Sequence, residues 1–184
     1  MISRIAKPLI FSTVLLFAAA LMPRSAQAGV DTAAQFVAEF KAICIDNVDQ
    51  PVKVQSMAAA QSWQIVGKNM AILPPPTEKD ALYKAWRKHE PDGTYILIGI
   101  AEYSQKGKSS QACLVAAINL IYDRALESLL MAMKLKETHD TVIGDSHIHE
   151  WTMETPAGLV TIDYETPQGE KRGPAKLYLY TTPK

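Results

Sequence analysis

With 184 residues, 48 % hydrophobic and 21 % charged, the chain has the make-up of an ordinary globular protein of one domain. Its formal charge is zero, but residues 1–28 hold Arg4, Lys7 and Arg24 and no acid; 19 − 3 = 16 basic against 19 acidic residues leaves −3 for the remainder. A mildly acidic body argues against nucleic acid as a partner, because basic patches supply most of that affinity.

Met1–Pro8 is short and basic, Leu9–Met22 is apolar, Pro23 breaks the run, and Ala26-Gln27-Ala28 places small residues at a peptidase site. This is the three-part layout of a secretory signal peptide, with cleavage expected after Ala28. The apolar run has 14 residues, short of the roughly 20 that a spanning helix needs. No cysteine adjoins the cleavage site and no arginine pair precedes the run, so the general export route is expected, to the periplasm or medium. Residues 29–184 then form a single domain.

Asp31 or Thr32 caps a first helix. Its apolar stripe is Ala33, Phe36, Val37, Phe40, Ile43 and Cys44, and Asp46-Asn47 stops it. Gln50-Pro51 opens a second helix running to about Trp63, with Pro51 at its first position. A short strand or extended arm is expected in Ile65–Leu73. Pro74–Pro76 is a stiff polyproline connector rather than a proline-binding ligand. Thr77 caps a predicted third helix, Glu78–His89, with Asp80 three positions on and Leu82, Tyr83 and Trp86 on its buried side. Pro91-Asp92-Gly93 turns the chain.

From Gly93 the apolar period becomes two. Ile96, Ile98 and Ile100 alternate with Leu97, Gly99 and Ala101, so both faces are apolar and the strand is central. Lys106-Gly107-Lys108 turns into a second strand, Gln111–Asn119. Leu120–Glu137 is the strongest helix pattern, with Asp123 early and Lys134 and Lys136 late, as the helix dipole favours. Thr141–Met153 reads as one long strand or two divided at Gly144. Leu159–Thr166 pairs back after Pro156-Ala157-Gly158, Pro167–Pro174 is a polar loop, and Ala175–Thr182 is the last strand. The predicted fold class is α+β: three N-terminal helices, then an antiparallel sheet of about five strands, with a fourth helix inserted after the first hairpin.

Two cysteines in an exported chain point to a disulfide between Cys44 and Cys113. Neither neighbourhood supplies the base or the positive setting that a reactive thiol needs. Asp145, His147 and His149 have metal-ligand spacing, since residues two apart share a strand face. Two imidazoles and a carboxylate suit zinc, copper or non-haem iron. A solvated outer strand face explains the same residues, and His139 or His89 would have to add a further ligand. Met57, Met70, Met131 and Met133 read as core filling rather than copper ligands. Asp163 and Glu165 share one strand face opposite Val160, Ile162 and Tyr164. Tyr178, Tyr180, Tyr164 and Trp151 are expected to gather on a sheet face away from the helices.

The expected function is therefore that of an exported, non-catalytic accessory or binding protein. It would meet a protein partner or a second copy of itself through that aromatic sheet face. No cofactor, nucleic acid or membrane span in the processed chain is expected. The alternative is a metal-binding protein or metallohydrolase built on His147 and His149, holding zinc or copper. A carboxylate-based enzyme using Asp163 and Glu165 is the third possibility.

Overall fold

The computed structural model describes residues 32–67, 82–90, 93–105, 108–133, 135 and 139–181. The expected signal segment 1–28, Met70, the Pro74–Pro76 run, Thr77 and Pro91-Asp92 lie outside the described residues. In chain order the elements are helix α1 (Thr32–Phe40), a π-helical turn (Lys41–Ile45), α2 (Pro51–Ala60), β1 (Gln64–Ile65), β2 (Leu82–His89), β3 (Tyr95–Gln105), β4 (Lys108–Ile121), α3 (Tyr122–Met133), β5 (His139–Ile143), β6 (Ser146–Thr155), β7 (Gly158–Pro167) and β8 (Arg172–Thr181).

The strands form one antiparallel sheet in the order β1-β2-β3-β4-β8-β7-β6-β5. Each half is a meander of four consecutive strands, and the β4–β8 ladder joins the halves. Alternation decides the faces. Ile96, Ile98 and Ile100 of β3, Val115 of β4, Leu177 and Leu179 of β8, Ile162 and Tyr164 of β7 and Trp151 of β6 join one buried cluster. All three helices add to it, through Phe36 and Phe40, Val54 and Ala58, and Ala125 and Leu129, so the helices cover one face. On the second face Ala101, Ala112, Leu114, Ala116 and Tyr178 form a smaller cluster, flanked by Tyr83, Leu97 and Tyr180.

The π-helical turn extends the α1 stripe to Ile43 and Cys44, both buried. Asp46 N–H donates to Lys41 O at 2.9 Å, and the Asn47 side-chain amide donates to Ala42 O and Ile43 O at 2.7 and 3.2 Å. The last carbonyls of the helix are thereby satisfied where no further turn follows. Cys44 is joined by a disulfide to Cys113 of β4, across a Cα–Cα distance of 5.6 Å. At the other end of the core β4 runs straight into α3. Tyr122 N–H donates to Lys171 O at 3.1 Å, and a Cβ on Gly173 would lie 2.6 Å from the Tyr122 hydroxyl. Only glycine lets β8 pass that ring.

The fold class differs from the sequence expectation. The sheet has eight strands and dominates the fold, in place of an α+β domain with three N-terminal helices and five strands. The segment predicted as a third helix is β2. Lys84, Trp86 and Lys88 alternate there with Tyr83, Ala85 and Arg87, and the same stretch fits a helix because Leu82, Tyr83 and Trp86 lie one and three positions apart. Tertiary demand settles it: β3 has two edges, β4 takes one, and β2 pairs along the other from Leu82↔Glu102 to His89↔Tyr95. Trp86 then packs edge-on against Trp63, with ring centroids 6.4 Å apart. Lys88 pairs with Glu39 of α1 and with Glu90 at 3.1 Å. The remaining strands come from Gln64–Ile65, which forms the short β1, and from Thr141–Met153, which divides at Gly144 (φ +60°) into β5 and β6. Leu120 and Ile121, predicted as the start of a helix, belong to β4.

The disulfide closes a loop with a sequence separation of 69 residues. In the chain-entropy model a cross-link of that span stabilises the fold by roughly 4 kcal/mol. Urea unfolding of the Cys44→Ala, Cys113→Ala double variant is expected to show a loss of that order. An unchanged midpoint would mean that the cross-link leaves the unfolded ensemble unconstrained.

Candidate functional site

The outer end of the sheet brings three metal-ligating side chains together. Gly144 and Asp145 turn the chain between β5 and β6, and Ile143 pairs with Ser146. From that register Asp140 lies opposite His149, and Val142 lies opposite His147. Alternation along β6 puts His147 and His149 on the same face as Trp151, the face the helices cover farther in.

His147 Nε2 lies 2.5 Å from Asp140 Oδ1, and His149 Nδ1 lies 3.9 Å from the same oxygen. One ligand atom from each of the three residues falls within 4.8 Å of the others. Exposure is graded: the side chain of Asp140 is 51 % exposed, that of His147 36 % and that of His149 13 %. The His149 ring lies near-parallel to Trp151 at 6.0 Å and to Tyr164 at 6.2 Å, and its centroid is 4.3 Å from that of His147. Tyr164 is itself fixed, since its hydroxyl donates to Tyr122 O at 3.2 Å. Two imidazoles and a carboxylate at this separation can close on a zinc or copper ion with modest side-chain movement.

Asp145 is not part of this group. It sits exposed in the β5–β6 turn, and the carboxylate beside the imidazoles is Asp140. A shared face within one strand requires the strand to continue through residue 145, and the turn ends that parity. The register of the hairpin, once the Gly144-Asp145 turn is recognised, is the signal that points to Asp140. His139 stands opposite Glu150, and His89 stacks edge-on with Tyr95 in the other half of the sheet, so neither joins the group. Met57 and Met133 pack at the core margin, and Met131 is exposed.

The four aromatic residues do not share a face. Trp151 and Tyr164 are buried under the helix side, whereas Tyr178 and Tyr180 lie on the second face, stacked at 5.8 Å. Tyr178 is only 5 % exposed. It hydrogen-bonds Glu165, and burial followed by the Glu165 charge raises its pKa.

Asp163 and Glu165 lie on that second face and divide their roles. Asp163 Oδ1 is buried without a hydrogen-bond partner. Burial, with the charges of Glu150 and Glu165 adding to it, pushes the Asp163 carboxyl up to about 6. Burial alone would raise Glu165 too. Hydrogen bonds from Ser146 Oγ at 2.8 Å, from Lys176 Nζ at 3.1 Å and from the Tyr178 hydroxyl outweigh it, and the net shift is downward. The shared electrostatics therefore direct the proton taken up as pH falls toward 6 to Asp163, while Glu165 keeps its charge.

No family model, curated protein or solved structure matches the chain.

A raised carboxyl pKa in the folded state means that the fold binds a proton the unfolded chain has released, between the ordinary aspartate range and about 6. This residue therefore lowers stability as pH rises through that window. Asp163→Asn is expected to unfold at higher urea than the wild type at pH 7.5 and to match it near pH 4. An equal difference at both pH values would show that the carboxyl charge is not the cause.

Proposed function

We propose that this chain is an exported accessory protein that binds a divalent transition-metal ion through Asp140, His147 and His149. The observation that carries the reading is the convergence of one ligand atom from each residue within 4.8 Å. Zinc and copper are the ions that suit this donor set. Each imidazole ligand has to be neutral, so binding weakens in acid.

Binding is favoured over metal-assisted hydrolysis by what surrounds the donors. Val142, Trp151 and Tyr164 are apolar or aromatic and the buried Thr166 opposite His147 offers a neutral hydroxyl, whereas the carboxylates Glu150, Asp163 and Glu165 belong to the second face. A hydrolase needs a base within reach of a metal-bound water. The metal also has stronger support than a docking surface built on Tyr178, which is buried and engaged with Glu165. Export is supported by the signal-like residues 1–28 and by the disulfide, which suits an oxidising compartment. No described helix is long and apolar enough to cross a membrane.

Urea unfolding with and without Zn²⁺ or Cu²⁺ tests the reading. An ion that binds only the folded state adds about 2.7 kcal/mol at a hundredfold excess over its dissociation constant. That gain is expected in the wild type and in Asp145→Ala. It is expected to shrink in Asp140→Ala and to vanish in the His147→Ala, His149→Ala double variant. Equal gains in the wild type and the double variant would sink the proposal.

A further inference from the structure

The two rungs of the β5–β6 ladder that carry the donors make a square of four side chains on one sheet face. Asp140 pairs with His149, and Val142 pairs with His147. Three corners carry a metal donor. The fourth is Val142, which has no donor atom and is 48 % exposed.

A structural zinc site is closed by four protein ligands, whereas an open position marks a site where the ion still meets outside donors. Here the donors come from two adjacent strands at the margin of the sheet, so they approach the ion from one side. Resting on the metal-binding reading, we infer that the ion is carried in a three-ligand, exchangeable form. It is handed to an acceptor by ligand exchange at the Val142 corner. The acceptor is a chelating site with free imidazole or carboxylate donors.

The first acceptor atom displaces the water that fills the open position, each later acceptor bond replaces a bond to this chain, and no electron is transferred. The exposure gradient orders the release. Asp140, on the edge strand and most open to solvent, is displaced first. His149, least exposed and stacked against Trp151 and Tyr164, is displaced last.

Transfer of Zn²⁺ from the loaded protein to the chromophoric chelator 4-(2-pyridylazo)resorcinol, followed by stopped flow, tests this. The transfer rate is expected to rise in proportion to chelator concentration, because the chelator enters the open corner before the ion leaves. Val142→His supplies the missing donor, and is expected to slow transfer about tenfold, the factor that a modest gain in affinity makes. Val142→Thr is expected to behave as the wild type. With zinc shown to be bound at the start, a rate independent of chelator concentration would overturn the handover and leave the binding reading standing. Failure to load zinc at all would overturn both.

Discussion

The β4–β8 ladder is the constraint on which the rest of the structure depends. Every other ladder joins strands that are neighbours in sequence, whereas β4 and β8 close a sheet between two independently wound meanders. Both buried clusters straddle that seam. Val115↔Leu177 and Cys113↔Leu179 face the helices, and Leu114↔Tyr178 faces the other way. Bringing two such distant segments together costs loop entropy, and burial of these side chains on both faces offsets it. Without the seam, α1 and α3 would lose the surface that holds them.

Elements are legible in the sequence where side-chain parity is unambiguous. β3, β4, β7 and β8 were legible because apolar side chains recur at every second position along them, and the α1 stripe because Phe36 and Phe40 anchor it. β2 was not, because Leu82, Tyr83 and Trp86 fall at helical spacing while the same stretch also alternates, and only the free edge of β3 decides between them. The candidate site was half legible. His147 and His149 share a face by strand parity alone. Asp140 becomes their companion only through the cross-strand register, which depends on a turn that composition does not place to the residue. Asp145, two positions from His147, was the natural local choice, and the turn at Gly144 removes it.

The two faces of the outer meander do different chemical work. On the helix side, beyond the reach of the helices, the strands present imidazoles and a carboxylate against an aromatic wall. On the other side Glu165 is held ionised by Ser146, Lys176 and Tyr178, while Asp163 stays beside it with an unmet oxygen. Because successive side chains point to opposite faces, the same strands serve both arrangements without the groups meeting. Trp151 and Tyr164 link the imidazole pair to the core, since each stacks on the His149 ring and lies in the main buried cluster.

The disulfide divides the molecule unequally. Residues 44 to 113 lie inside its covalent ring, which encloses α2, β1, β2 and β3 and ends within β4. The whole second meander, β5 to β8, lies outside. Cross-linking limits the unfolded freedom of the ring alone, so the strands that carry Asp140, His147 and His149 draw no entropic benefit from it. Their persistence rests on ladder hydrogen bonds and on the packing of Trp151, Ile162, Tyr164 and Leu177. An opening that begins at β5, which has β6 as its single sheet neighbour, can therefore spread inward while the ring stays intact. In an oxidising compartment the chain is thus a tethered first half and an untethered second half, and the half without the tether is the one that holds Asp140, His147 and His149.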